Sequence, residues 1–226
     1  MNRLAMTRGA AALAAALAFA GCFDEPVPAY KTVAPETRVY LKEKGLETLT
    51  AEAVLKQGLV FVHGSGYTNL SALVSGDFDP KSLEYLNLDR NALKNVDALG
   101  EFTSLKWLRL NGNALESLPD LSGMKNLRRL YLSGNALKSV PETVKDLPSL
   151  TDLDLSGNPI ETLPDWLAKK EGLEHLSLTR TKIKSLPDDL SAWKSLKSLQ
   201  LGDIVGLGKA DMERIRAALP GVTVVF

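Results

Sequence analysis

The chain has few of the residues from which covalent frameworks and metal centres are built. Its 226 residues include one cysteine, Cys22, and two histidines, His63 and His175, which stand far apart in the sequence. A single cysteine excludes a disulfide framework within the chain and a metal site made of several thiolates. We therefore expect no metal site and no cofactor.

The chain also lacks an excess of charge of either sign, because 27 basic residues are balanced by 27 acidic ones. Proteins that bind nucleic acid usually carry a basic surplus on one surface. The small and apolar stretch at 9–21 is shorter than the roughly 20 residues that a membrane-spanning helix needs. We therefore predict no nucleic-acid partner and do not interpret this stretch as a transmembrane helix.

What the chain does have is one pattern, L-x-x-L-x-L-x-x-N-x-L, written six times. The copies start 22 or 23 residues apart, at Leu83, Leu105, Leu127, Leu150, Leu173 and Leu196. A fixed period of this length is typical of a solenoid. The first five copies keep their apolar positions in register, and the sixth is degenerate. We assign the six copies to residues 83–204.

The pattern resembles the leucine-rich repeat family. The resemblance implies an α/β solenoid: an arc with a short parallel β-sheet on its concave face and short helical or 3-10 turns on its convex face. Leucines at the first, fourth and sixth places of each copy point inward. A solenoid leaves apolar surface open at both ends, so terminal units must cover it. We predict these caps at residues 36–82 and 205–226.

The ninth place of the first four copies carries asparagine, at Asn91, Asn113, Asn135 and Asn158. In the family that the chain resembles, these side chains form a buried ladder at the turn after each strand. An amide can both donate and accept hydrogen bonds, which a buried turn requires. Thr181 takes this place in copy five, and its hydroxyl has a single proton to donate. We therefore expect the ladder to loosen there.

Copies two to five carry a proline after an apolar residue on the convex side, as in Leu118-Pro119. Proline suits the first position of a helix, so one short helical turn should follow in each copy. Trp193 is expected in the core beneath such a turn, and Lys170 interrupts the same apolar column. Trp166 is expected to be exposed.

The N-terminal region before the repeats divides into a signal and a spacer. Two arginines precede the apolar stretch, which predicts a secretory signal over residues 1–21. The ending FAGC at 19–22 resembles the bacterial lipobox, which implies lipidation of Cys22 and anchoring in the cell envelope. Phe23, where an aspartate would favour the inner membrane, favours the outer one. The alternative is an ordinary signal peptide with Cys22 as a free thiol.

Residues 22–35 contain three prolines and few aliphatic side chains, which predicts an extended, solvated tether. Within the cap at 36–82, the HGSG stretch at 63–66 lacks the lysine and spacing of a phosphate-binding loop, so we interpret it as a turn. The predicted elements of the two caps are helices at 36–44 and 50–57, a strand at 59–62, a helix at 211–219 and a strand at 222–226.

The solvent-facing places on the strands vary from copy to copy, and function should be carried there. Copies one to three present tyrosine, tryptophan and arginine, the residue types that dominate binding hot spots. Copy four switches to two aspartates, which we expect to pair with Arg129 or Tyr131. The candidate ligand-binding residues are Tyr85, Asn87, Trp107, Arg109, Arg129, Tyr131, Asp152 and Asp154.

These residues favour a lipid-anchored binding module that recognises a protein or peptide on its concave face. A binder of envelope glycan or lipopolysaccharide is the alternative. A third interpretation is a structural spacer, in which aromatic pairs only stabilise the sheet. Asp152, Asp154 and His175 lie on neighbouring strands, as in some hydrolytic sites, but no nucleophile accompanies them. We therefore predict no catalytic residues and no enzyme activity.

Overall fold

The structure is a computed structural model that describes residues 39–40, 59–61, 68, 70, 79–187 and 189–226. The chain divides into two units, Met1–Thr32 and Val33–Phe226, and all described residues belong to the second. Several predictions therefore lie outside the described residues: the signal at 1–21, the anchor at Cys22, the tether at 22–35, the helix at 50–57 and the turn at 63–66.

Among the described residues, nine short strands form one parallel sheet, and they follow one another in the sheet in chain order. The sheet does not close on itself, so the predicted open parallel sheet is confirmed. The strands are β1 Val39–Tyr40, β2 Leu59–Phe61, β3 Tyr85–Asn87, β4 Trp107–Arg109, β5 Arg129–Tyr131, β6 Asp152–Asp154, β7 His175–Ser177, β8 Ser198–Gln200 and β9 Thr223–Val225.

The strand register aligns equivalent places of successive copies. Leu86 stands opposite Leu108, and Leu108 stands opposite Leu130. Each central leucine is buried, while the residues on either side of it face the other way. Because side chains alternate along a strand, this register collects the variable residues of all six copies on the concave face.

The helix predicted over 36–44 is wrong at Val39–Tyr40. These two residues form β1 and pair in parallel with β2, with Val39 opposite Val60. A β-branched and an aromatic residue favour a strand, but the pairing partner comes from a segment about 20 residues further along. The strand predicted at 59–62 is present as Leu59–Phe61.

The side of each copy opposite the strands is built from short helical turns, as predicted for copies three to five. The proline lies one residue earlier than expected: Pro141 and Pro164 are N-caps with extended backbone, a conformation that proline readily adopts. Copy two has turns instead of a helix at 119–126. The 3-10 helices are Pro80–Ser82, Asp97–Glu101, Glu142–Asp146 and Leu190–Ala192, and an α-helix, α1, spans Asp165–Ala168.

The core is a continuous column of leucines between the sheet and the helical turns. Leu105, Leu108 and Leu110 of copy two are each fully buried, and the other copies repeat this arrangement. Trp193 is buried as predicted, and its Nε1 donates to the carbonyl of Leu167 at 3.2 Å. Burial of these side chains, worth about 1.5–3 kcal/mol for each leucine, stabilises the stack.

Two residues depart from the apolar pattern of the helical-turn side. Lys170 is half-buried, and its Nζ donates to the carbonyl of Leu147 at 2.8 Å and to that of Lys145 at 3.2 Å. Burial lowers the pKa of its ammonium group. Trp166 is half-buried against the core instead of exposed, and its Nε1 donates to Glu142 at 3.1 Å. The expected exposure of Trp166 was wrong because the flanking repeat supplies both a surface and an acceptor.

The asparagines make the bonds expected of a ladder. The amide of Asn135 donates to Leu110 and Leu132 carbonyls, both at 2.9 Å, and its oxygen accepts from the backbone of Leu115 at 3.1 Å. Asn113, Asn135 and Asn158 therefore each tie their own copy to the preceding one. Thr181 is buried and donates to the Leu178 carbonyl of its own copy at 2.7 Å. Its hydroxyl cannot donate a second bond to the preceding copy.

The eighth place has a left-handed backbone in all six copies, a feature not anticipated from the pattern. Glycine fills it in copies two to four, where a side chain would be strained. Arg90, Arg180 and Asp203 fill it in copies one, five and six, with φ of 56°, 55° and 58°. The turn after the strand therefore imposes this conformation even where the residue opposes it.

The chain after copy six forms an α-helix, α2, at Lys209–Ala218, followed by β9, which pairs in parallel with β8. Ile215 of α2 is fully buried, and Arg216 lies over the ring of Phe226 at 4.8 Å. Within the described ranges, no helix combines the length and apolar character that crossing a membrane requires.

Candidate binding face

The structure places the eight candidate residues on four adjacent strands, β3 to β6. Each lies at the first or third position of its strand and points away from the leucine core. Asp152 is buried and the other seven are half-buried. They form one continuous surface because the strands pair without a shift in register.

Five of these residues form a packed cluster, which we call the aromatic–arginine patch: Tyr85, Trp107, Arg109, Arg129 and Tyr131. The ring of Tyr85 meets that of Trp107 edge to face, with centroids 6.2 Å apart and planes at 85°. Trp107 meets Tyr131 at 6.0 Å and 63°. Such edge-to-face pairs contribute about 0.5–1.5 kcal/mol beyond burial, so the three rings hold one another in place.

Two guanidinium groups cover this aromatic row. Cζ of Arg109 lies 5.9 Å from the ring centroid of Trp107 and 5.4 Å from that of Tyr131. Cζ of Arg129 lies 6.0 Å from the centroid of Trp107. These are cation–π distances. The indole of Trp107 is therefore surrounded by two rings and two cations before any ligand arrives.

Asp89 holds one of these arginines and was missed in the sequence. It is buried, and its Oδ2 accepts from Nε of Arg109 at 2.8 Å and lies 2.7 Å from Nη2. Its other oxygen accepts from the backbone of Asn111 at 2.8 Å. The signal was available: Asp89 is the single charged residue at the seventh place of the copies, where the others have Asn, Ser, Thr or Gly.

The aspartates of copy four behave differently from one another. Asp152 pairs with Arg129, with 3.8 Å between Oδ2 and Nε, and also accepts from the Thr151 hydroxyl at 2.6 Å. Asp154 accepts from the backbone and the hydroxyl of Ser156, at 2.9 Å and 2.6 Å. The expected pairing with Arg129 is therefore present for Asp152, while Asp154 is hydrogen-bonded to Ser156 of its own copy and to Ser177 of copy five.

Burial shifts two ionisable groups of this face. It raises the pKa of the Asp154 carboxyl, against the opposing effect of the Ser156 hydrogen bonds. Burial, followed by the negative charge of Asp152, raises the pKa of Tyr131 far above its usual range. Tyr131 is therefore a neutral hydroxyl at physiological pH and can donate a hydrogen bond.

The charges of this face are largely satisfied internally. Arg109 is paired with Asp89, and Arg129 with Asp152. Counting Asp154, three carboxylates face two guanidinium groups. The face therefore has no surplus positive charge with which to attract an anionic ligand.

The structure brings Asp152 and His175 opposite one another on β6 and β7. Among the described residues, however, no group of three His, Cys, Asp or Glu side chains is arranged to hold a metal ion. What the face presents is instead a row of paired aromatic and arginine side chains.

Comparisons with known proteins agree with this geometry. Residues 125–168 match the family described as Leucine Rich repeats (2 copies). An internalin from Listeria monocytogenes is similar in structure, with a TM-score of 0.56 and 21% identity over 75% of this chain. The fold is a leucine-rich repeat solenoid. At this identity the likeness concerns the fold alone, and together with the matched segment it supports the leucine-rich repeat family.

A leucine-rich repeat protein of Leptospira interrogans is 24% identical over 65% of this chain, with a TM-score of 0.41. The chain spans about half the length of the two solved structures, 55% of the Leptospira protein and 48% of the internalin. A search of curated protein sequences finds no match.

Proposed function

We propose that this leucine-rich repeat chain binds a protein partner through its concave face, at the aromatic–arginine patch. The observation that carries the proposal is the packing of Tyr85, Trp107 and Tyr131 under two guanidinium groups on the solvent-facing side of the sheet. Such residues supply large contact areas in hot spots. Leucine-rich repeat folds commonly serve as protein-interaction modules, which agrees with this assignment.

The patch is already ordered before a partner arrives. The Asp89–Arg109 pair and the two edge-to-face contacts fix side chains that would otherwise be free to rotate. Immobilising a flexible side chain on binding costs about 0.5–1.5 kcal/mol. A partner that meets an ordered patch avoids much of this cost.

A protein partner suits this surface better than a glycan or lipopolysaccharide. Stacking of a sugar needs an accessible aromatic face, and Arg109 and Arg129 lie over the ring of Trp107. Lipopolysaccharide is anionic, whereas the arginines are already paired with Asp89 and Asp152. A partner with neutral polar and apolar groups can instead use the half-exposed edges of the rings.

We further propose that the domain is held in the bacterial cell envelope by a lipid on Cys22, with the outer membrane as the favoured site. The support is in the sequence: an apolar stretch ends at FAGC, which contains the single cysteine of the chain. Each buried methylene of an acyl chain contributes about 0.8 kcal/mol, so two or more chains give stable anchoring. A proline-containing tether at 22–35 would separate the domain from the membrane.

Site-specific photo-crosslinking tests the binding proposal in cells. A photoreactive phenylalanine at position 85 should crosslink one defined protein, because this position lies in the patch. The same amino acid at position 205, a fully exposed position that belongs neither to the patch nor to the other cavity-lining residues, serves as the control. Trp107→Ala should abolish the crosslink from position 85 while the domain still unfolds cooperatively.

Arg129→Ala is a poorer probe, because it leaves the buried carboxylate of Asp152 without its ion-pair partner. Equal crosslinking from positions 85 and 205, or none from position 85, would contradict the concave-face proposal. Loss of the crosslink on addition of free envelope sugars would favour the glycan alternative.

A further inference from the structure

Copies two to four form a groove on the loops that lead from the asparagine ladder to the helical turns. It has a volume of about 530 Å³ and is open to solvent. Its walls come from three consecutive copies, at residues 116–120, 139–143 and 162–164, with Asp146 completing the edge. None of the aromatic–arginine patch residues takes part, so the groove is a separate surface.

The floor of the groove is apolar. Val140 is buried at its centre, and Leu118 and Leu163 are half-buried on either side. In copies three and five the residue before the proline is buried, whereas in copies two and four it is partly open to solvent. Three prolines, Pro119, Pro141 and Pro164, also line the groove. Because proline has no backbone N–H, these three positions add no donors to the floor, and the carbonyls of Pro141 and Pro164 already accept from the backbone of Val144 and Leu167.

The rim of the groove is acidic. Glu116, Asp120, Glu142 and Asp146 are all exposed, and none of the described residues that line the groove is Lys, Arg or His. The backbone N–H of Ser122, assisted by its hydroxyl, lowers the pKa of Asp120 and keeps it ionised. Charges of one sign around a cleft with apolar walls reinforce one another's potential.

We propose that this groove is a second interaction surface, which binds an extended peptide segment with an apolar centre and flanking lysine or arginine residues. The apolar floor accepts the central side chains, and the rim carboxylates pair with the flanking cations. The complementarity is one of charge as well as shape, because the groove is lined by four carboxylates. This surface is independent of the concave-face function.

Fluorescence anisotropy with the full chain tests the proposal. The probe is a short, labelled peptide of alternating leucine and lysine, acetylated and amidated at its ends, and its counterpart has glutamate in place of lysine. At low salt, the lysine peptide should bind about tenfold more tightly than the glutamate peptide, or better. Raising the salt concentration from about 50 mM to about 500 mM should weaken binding of the lysine peptide, because salt screens exposed charges. No binding at about 1 mM peptide, or equal affinity for both peptides, overturns the proposal.

Paired variants locate the binding. Glu116→Gln with Asp146→Asn removes two rim charges and should lower the affinity of the lysine peptide about tenfold. Glu171→Gln with Glu213→Gln removes two exposed carboxylates elsewhere and should leave it unchanged. Leu118→Gln with Leu163→Gln tests the floor and should weaken binding without changing its salt dependence. Equal losses in the rim and control variants would mean a non-specific charge effect and would overturn the proposal.

Discussion

At the scale of single residues, burial decides what each charge of the concave face contributes. Asp89 is almost fully buried and has backbone and guanidinium donors, whereas the Lys184–Glu161 pair is exposed on both sides. An exposed ion pair is screened by water and contributes little. A buried hydrogen bond to a charged group contributes about 1.5–3 kcal/mol.

Asp89→Asn should therefore lower the free energy of unfolding by about 1.5–3 kcal/mol, because the neutral amide cannot hold the Arg109 guanidinium as strongly. Glu161→Gln, the exposed control, should change it little. Urea denaturation followed by circular dichroism measures both. Equal effects of the two substitutions would contradict the role assigned to burial.

Asp154 should make stability depend on pH. Burial raises its folded-state pKa, so the folded protein is favoured while the carboxyl is protonated, and that stability is lost as pH rises through the raised pKa. Asp154→Asn removes the buried charge and should stabilise the protein at neutral pH. The gain in stability of the Asp154→Asn variant over the unchanged protein should shrink as pH falls towards the ordinary carboxyl pKa of 3.8. Thermal unfolding of both proteins across this range measures the effect.

The exposed Asp120 provides a control, because its pKa is shifted in the opposite direction from that of Asp154. The Ser122 backbone N–H lowers its pKa, so its contribution is present above the ordinary carboxyl value and is lost as pH falls through the lowered pKa. Asp120→Asn should therefore be destabilising at neutral pH. An advantage of Asp154→Asn that grows towards acid pH would refute the burial explanation.

At the scale of elements, the asparagine ladder supplies buried hydrogen bonds between successive copies. Asn158 donates to Leu132 of the preceding copy and Leu155 of its own, and accepts from the backbone of Leu137. Thr181 has a bond within its own copy. The interface between copies four and five should therefore open locally more readily than the interfaces that an asparagine bridges.

Two substitutions test the ladder, one that removes a rung and one that adds a rung. Asn135→Ala should lower the unfolding free energy by about 3 kcal/mol or more, because each buried backbone group left without a partner costs about 1–3 kcal/mol. Thr181→Asn should raise it by about 1 kcal/mol by adding a rung. Urea titration measures both, and hydrogen exchange of copy five should slow in the second variant. Destabilisation by Thr181→Asn would show that the rung does not fit there.

At the scale of the whole molecule, the sequence predicts an anchor that lies outside the described residues. Cys22→Ser should move the protein from the membrane fraction to the soluble fraction, because no thiol remains to accept a lipid. Fractionation of cells followed by immunoblotting measures this. Ala10→Ser, within the apolar stretch, is the matched control and should leave the protein in the membrane. Retention of the Cys22→Ser protein in the membrane would refute lipid anchoring.

Most of the solenoid could be predicted because the same residue types recur at a fixed period in the sequence. Leucines at fixed places and asparagines at the ninth place specify which side chains turn inward, since each copy meets nearly the same neighbours. The helix predicted at 36–44 was wrong at Val39–Tyr40 because its strand is completed by Leu59–Phe61. Local preference could not reveal that partner.

The sequence by itself determined the repeat, its register and the variable places that face solvent. Tertiary structure decided how those places are used: that Asp89 neutralises Arg109, that Arg109 and Arg129 lie over the ring of Trp107, and that acidic loops of three copies meet around an apolar groove. The physical reason is distance. Apart from Arg109 and Trp107, which share β4, these groups are about 20 residues apart in the chain, and only the stacking of successive copies brings them within contact range.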